Sequence, residues 1–198
     1  MRVILVLSAL LAGLTGCTKT PHKGPDRYRV QFETSKGNFV VDVVRGWSPI
    51  GSDHFHELVI NNYYTENRFF RVIPGFMAQW GISGDPEMNK KWKVEIEDDP
   101  PGVSNTVSNT AGTITFAKTS APNSRSTQLF INFGDNSRLD ATGFTPFGRV
   151  TEGMNVVMSI NAEYAERPSQ ERMTNEGNSY LKAEFPNLDY IKKATIIP

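Results

Sequence analysis

The chain has 198 residues, 38% of them hydrophobic, and its 21 basic and 21 acidic side chains cancel to a formal net charge of zero. That length buries the core of one ordinary globular domain, and the even balance lacks the basic face that nucleic-acid binding demands. Twelve Phe, twelve Pro and sixteen Gly point to a turn-rich, mainly β fold rather than a helical bundle.

The first residues stand apart. "MRVILVLSALLAGLTGC" opens on Arg2, runs apolar from Val3 to Leu14 and ends on small residues before Cys17. The run is too short to span a bilayer and reads as a secretory signal over 1–16. Leu14-Thr15-Gly16-Cys17 resembles the bacterial lipobox, in which the cysteine is lipidated and becomes the mature N-terminus. A cleaved signal with a coincidental cysteine is the other reading. Cys17 is also the only cysteine, which excludes an internal disulfide. Residues 17–27 are polar with two prolines and read as a flexible tether. The expected product is an exported domain, 28–198, held to a membrane of the bacterial cell envelope through Cys17.

Along that domain, "YRVQFETSKGNFVVDVV" carries two apolar runs joined by Ser35-Lys36-Gly37-Asn38, a hairpin signal. "SPIGSDHFHELVINNYY" then changes period: Ser48 is placed to N-cap, Pro49 to open the helix, and Asn61-Asn62 to close it. Phe55, Leu58 and Val59 share its apolar face. Short strands follow at 69–73, 76–79, 93–96, 113–117, 128–133 and 147–150, most of them separated by Gly or Pro. That is the rhythm of a small barrel or sandwich. "GMNVVMSIN" predicts a second short helix with Met154, Val157 and Met158 on one face. The polar stretch 163–187 reads as a solvated excursion, and "LDYIKKATII" returns as a last strand.

The familiar catalytic kits are absent from the sequence. His54 and His56 are two apart on a helix, so they point about 200° from each other and make a poor metal pair. No G-x-S-x-G occurs. The loop Gly81 to Asp85 lacks P-loop spacing and its lysine and reads as a turn. Glu97, Asp98 and Asp99 read as solvated loop. What remains is "FFRVIPGFMAQ", which sets Arg71 among apolar side chains, and "STQLFINFGDN". On strands, Met77 and Gln79 share a face, as do Gln128 and Phe130, and as do Phe69 and Arg71. A groove built from these residues is aromatic and thioether-lined with a few amide donors, and suits an apolar peptide segment.

"FFRVIPGFMAQWG", "GTITFAKTSAPNSRSTQLFINFGDN" and "FTPFGRV", in this order between Tyr28 and Ile197, resemble the cyclophilin-type peptidyl-prolyl isomerases, particularly their bacterial members. The resemblance implies a mainly β fold, a closed eight-stranded antiparallel β-barrel capped by two α-helices. It implies rotation of X-Pro bonds without a cofactor or metal, with proline-containing peptides and folding chains as partners. The signal over 1–16 and Cys17 make proteins of the cell envelope the expected substrates, and the expected state is a monomer. The resemblance makes Arg71 the catalytic arginine, with Phe76, Met77, Gln79, Gln128, Phe130, Leu139 and Phe144 holding the substrate. Arg138 stands where many eukaryotic members carry tryptophan, and Lys118-Thr119-Ser120 replaces their Ala-Asn-Ala. Two further readings stay open: a non-catalytic module of the same fold that holds proline segments as a chaperone or scaffold, and a barrel carrying a small apolar ligand.

Overall fold

The computed structural model describes residues 22–100 and 107–198; the signal segment and Cys17 lie outside them. Eight strands form one antiparallel sheet: β1 Arg27–Thr34, β2 Gly37–Val44, β3 Arg71–Ile73, β4 Met77–Trp80, β5 Thr113–Phe116, β6 Leu129–Asn132, β7 Pro146–Glu152 and β8 Ile191–Ile197. Their order is β3-β4-β6-β5-β7-β2-β1-β8. The first hairpin forms over the residues that predicted it, with Thr34 opposite Gly37 and only Ser35-Lys36 in the turn. The sheet curls until its two ends meet, but not as a full ladder. Closure rests on a bridge between Arg68 and Tyr190, flanked by bonds from Phe69 N to Asp189 O (3.0 Å) and from Ile191 N to Asn67 O (2.9 Å).

Alternation sorts the side chains, as the pleat requires. Ala78 and Trp80 of β4, Ile114 and Phe116 of β5, and Leu129 and Ile131 of β6 point into the barrel, where they join Phe32, Phe39 and Phe147. The helix α1, Pro49–Ile60, closes the core with Phe55, Leu58 and Val59, the face its spacing predicts. Its cap differs from expectation. Ser48 occupies the N-cap position, but its hydroxyl donates to the Asp99 carboxylate, and Asp99 Oδ1 accepts from Ile50 N at 2.8 Å. Asp99 also meets Arg125, its Oδ2 2.7 Å from Nη1, with both side chains almost fully buried. A carboxylate read as solvated loop thus serves as a helix cap and a buried counter-ion, because a partner 26 residues away lies beyond any local pattern.

Four further expectations are corrected. Residues 93–96 form no strand, only a single bridge from Ile96 to Arg125. The fold holds five α-helices among the described residues rather than two: after α1, α2 is Pro86–Lys91, α3 Met154–Met158, α4 Gln170–Glu176 and α5 Asn178–Glu184. In α3 Val157 is buried while Met158 is exposed, since five residues are too few to hold a full apolar face inward. The excursion 163–187 is also no solvated loop. Tyr164, Met173, Tyr180, Leu181 and Phe185 build a second apolar cluster with Phe70, Ile82 and Leu188. Its apolar positions are spread thinly among charges, so it takes two short helices folding against each other and the barrel to gather them.

Residues 22–27, expected to be part of a flexible tether, are not free of the domain. From His22 onward the chain lies against α1: Gly24 N donates to Asp53 Oδ1 at 3.0 Å, and the His22 ring stacks on His56 at 4.8 Å. Asp53 can hold this segment because Arg45 grips both its oxygens at 2.7 Å.

Candidate active site

The outward faces of β3, β4 and β6 carry the candidate site. Register places Arg71 opposite Gln79, and Gln79 opposite Phe130, so three neighbouring strands deliver three side chains to one line. Met77 lies one pleat along from Gln79 on the same face. Around this line is a groove of about 380 Å³. Arg71, Phe76, Met77, Gln79, Phe130, Leu139 and Phe144 all line it, as do Ala117 and Lys118. Gln128 stands at its edge, lining an adjoining hollow of about 200 Å³. Phe69 does not join them: β3 starts at Arg71, and Phe69 packs in the barrel core, its ring centroid 5.3 Å from that of Trp80. Phe70 enters the second cluster. The break in the strand before Arg71 sends the two phenylalanines into different cores and the arginine outward.

The Arg71 guanidinium is about one-third exposed, and its charge is met on several sides. Nη1 donates to Gln79 Oε1 at 3.3 Å and Nε donates to Glu166 Oε2 at 2.9 Å. Its carbon lies 5.7 Å from the centre of the Phe76 ring. Arginine has only donors, so Gln79 must present oxygen to it and amide nitrogen to Gln128 Oε1, 2.8 Å away. Phe144 meets Phe130 edge-on at 5.8 Å and forms a corner of the groove. Arg138 covers the Phe76 ring, its guanidinium carbon 4.9 Å from the centroid, where tryptophan would have offered a flat wall. Lys118 is tied by its Nζ to Asp98 Oδ2 at 3.1 Å.

Buried asparagines set the groove's far wall. Asn136 Nδ2 donates to Phe76 O and to Asn132 Oδ1, and Asn109 Nδ2 donates to Phe144 O. Asp140 accepts from Ser108 Oγ, Asn109 N and Asn109 Nδ2. Burial works against ionisation of Asp140, yet the bonds from Ser108 and Asn109 outweigh it and hold the carboxyl below its ordinary range. Sequence reading missed these residues. The two asparagines of "INFGDN", Asn132 and Asn136, lie in the quoted motif, but nothing local says that they turn inward. It also missed Glu166 and Gln170, which line the groove from the excursion. The two candidate histidines part company: His54 Nε2 meets Ser126 O at 2.8 Å, while His56 faces His22.

A family model described as "Cyclophilin type peptidyl-prolyl cis-trans isomerase/CLD" matches residues 29–178. The chain belongs to the cyclophilin family. Among its curated relatives, a peptidyl-prolyl cis-trans isomerase of Acinetobacter baylyi is 36% identical over 163 residues, 80% of this chain and 81% of that protein. Peptidyl-prolyl cis-trans isomerase B of Escherichia coli is 34% identical over 139 residues, 66% of this chain and 82% of its own length. A solved cyclophilin-type isomerase of Cryptosporidium parvum shares the fold, with a TM-score of 0.65 at 18% identity over 87% of this chain and 98% of that one. That protein has also been crystallised in the presence of the dipeptide Ala-Pro. As a cyclophilin this chain is a peptidyl-prolyl cis-trans isomerase, and its mainly β, eight-stranded antiparallel architecture is that of the family.

Proposed function

We propose that this cyclophilin turns X-Pro bonds in the groove of Arg71, with the guanidinium as donor to the prolyl nitrogen. An X-Pro bond rotates slowly because rotation breaks amide resonance, a barrier of about 18–20 kcal/mol. At the twisted midpoint the nitrogen becomes pyramidal and regains a lone pair. A donor aimed there binds the transition state and hardly touches the planar ground state, so the bond lowers the barrier rather than tightening both states alike. Phe130 and Met77 form an apolar floor for the proline ring, Phe76, Leu139 and Phe144 its walls, and Gln128 an amide for the substrate backbone. Shortening the step from tens of seconds to milliseconds is about four decades, or roughly 5–6 kcal/mol. One charge-assisted bond supplies about 1.5–3 kcal/mol of that, and orientation supplies the rest.

One observation carries this reading: Arg71 is held against Gln79 beside the Phe130 floor with donors to spare. Nη2 makes no hydrogen bond among the described residues, and a mere proline holder has no use for it. Cis-to-trans relaxation of a proline tetrapeptide tests the assignment. Wild type should accelerate it, and Arg71→Ala should lose about 10–150-fold in kcat/KM, the worth of one such bond. No acceleration by wild type would favour a non-catalytic holder, and an Arg71→Ala variant as fast as wild type would remove the arginine from the mechanism.

We further propose that the enzyme works as a monomer in the bacterial cell envelope, lipid-anchored at Cys17, on exported proteins as they fold. The lipobox-like ending at Cys17 supports the anchor. Among the described residues three large apolar side chains are exposed, Ile60, Val94 and Met158, and so small a number suits a monomer. Cys17→Ser should move the protein out of membrane fractions; continued membrane retention would count against the anchor.

A further inference from the structure

The groove's polar side chains close into a loop that begins and ends on one segment. Glu166 Oε2 accepts from Arg71 Nε (2.9 Å), Arg71 Nη1 donates to Gln79 Oε1 (3.3 Å), Gln79 Nε2 donates to Gln128 Oε1 (2.8 Å), and Gln128 Nε2 donates to Gln170 Oε1 (3.1 Å). The direction is forced throughout. Because arginine can only donate, each amide in turn presents its oxygen toward Arg71 and its nitrogen away from it. The two ends, Glu166 and Gln170, are four residues apart on the segment that the sequence presented as a solvated excursion.

That segment is built to hold its place beside Arg71. Val72 N, one residue along the strand, donates to Ala165 O at 3.1 Å, so the chain just before Glu166 is fixed on the open edge of β3. Ala165 has φ 49, a left-handed conformation that an alanine keeps only where its surroundings impose it. On the other side of Arg71, Phe70 is buried in the cluster formed by Tyr164, Tyr180 and Phe185. Gln170 opens α4, whose N-cap Ser169 accepts from Arg172 N and is itself tied through its backbone N–H to the Tyr180 hydroxyl at 3.0 Å.

Arg71 needs such help. It stands on a three-residue edge strand with a long, rotamer-rich side chain. Gln79 alone offers it one long bond, while a donor to a pyramidal nitrogen must sit within about half an ångström of its productive place. Glu166 takes the Nε edge of the guanidinium and leaves the Nη2 end free among the described residues. We propose that Glu166 and Gln170 are positioning residues for the reaction: Glu166 orients Arg71 directly, and Gln170 does so through Gln128 and Gln79. The inference rests on the reading of Arg71 as the donor to the prolyl nitrogen.

The test is steady-state isomerisation of an X-Pro tetrapeptide with kcat and KM resolved, and Tm measured alongside. Wild type is compared with E166A, E166Q, Q170A, E166A/Q170A and the control E171Q, which removes a charge from the same segment away from the loop. An exposed ion pair is weak, so E166A should lower kcat about 2–5-fold with KM and Tm nearly unchanged. E166Q should recover most of the loss, since its amide oxygen still accepts from Nε. Q170A should cost less, and the double variant less than the product of the singles, because both act on one loop. E171Q should match wild type. The inference is overturned by an E166A kcat equal to or above wild type, the latter making Glu166 a brake on Arg71. It is equally overturned by a change confined to KM, or by E166Q no better than E166A. If wild type and Arg71→Ala are alike in failing to accelerate the peptide, the isomerase reading falls and takes this one with it. If wild type is active, Arg71→Ala is impaired and E166A is indifferent, only the positioning role is lost.

Discussion

Removing Asp99 should destabilise the fold severely, although Asp99 lies in a run of charges. Its carboxylate accepts from Ile50 N at the start of α1, from the Ser48 hydroxyl and from Arg125 Nη1. Loss of a helix cap costs about 1 kcal/mol. Leaving a buried guanidinium without its counter-ion costs about 3–5 kcal/mol. Asp98 softens this loss without cancelling it, since its Oδ1 is 3.5 Å from Arg125 Nε, an ion pair without hydrogen-bond geometry. Asp99→Ala should therefore lose about 3–5 kcal/mol, a large share of the 5–15 kcal/mol that holds a typical domain together. Asp99→Asn keeps an acceptor for Ile50 N but not the charge, so it should fall about 1 kcal/mol short of that loss. Urea unfolding followed by fluorescence and circular dichroism measures both. The double variant Asp99→Leu, Arg125→Met should be more stable than Asp99→Ala alone, because no unpaired charge is left inside. An Asp99→Ala variant within 1 kcal/mol of wild type, or an asparagine variant equal to it, would show that the buried pair contributes little.

Two further perturbations follow. Burial pushes His54 below its ordinary value of 6.5, with the Ser126 carbonyl acting the other way, and burial also lowers His56, with His22 beside it adding to the effect. The unfolded chain therefore takes up protons first as pH falls: this contribution to stability is complete above about 6.5 and declines below it, down to the folded-state values. Urea midpoints should drop from pH 7.5 to pH 5.5 and drop less in His54→Gln, and equal slopes would refute the assignment. Gly81 has φ +112, and a Cβ there would lie 2.3 Å from Thr127 O and 2.6 Å from Gln128 Cα, backbone atoms that cannot swing aside. Gly81→Ala should cost about 3 kcal/mol or more, lowering Tm by about 10 °C in a domain of this size, and should impair isomerisation through Gln128. A Tm within 2 °C of wild type would contradict the close approach.

Local periodicity was readable wherever a side chain's fate depends on near neighbours. The hairpin of β1 and β2, the apolar face of α1 and the alternation along β4 and β6 all follow from spacing. Arg71 stood out because a permanent charge among apolar residues demands a reason. The same logic misplaced Phe69, because alternation assumes an unbroken strand and the chain bends just before Arg71. Asp99 and the buried asparagines escaped notice for another cause. Their side chains are polar, and only distant partners such as Arg125, Ser108 and Phe144 make burial tolerable.

The order of apolar and polar residues by itself determined a mainly β domain with an amphipathic helix packed on it, and it put Met77, Gln79, Gln128 and Phe130 beside Arg71, whereas Phe76, Leu139 and Phe144 followed only from the resemblance to the cyclophilins. It could do so because strands and helices impose periods of two and 3.6 on any residue they bury. Only the tertiary structure decided that residues 163–187 form a second small core and that Glu166 and Gln170 reach the arginine from it. Hydrogen bonds between residues 42 to 95 positions apart leave no mark on the period of a sequence; they exist because β3 needs an edge covered and the excursion lies where it can cover it.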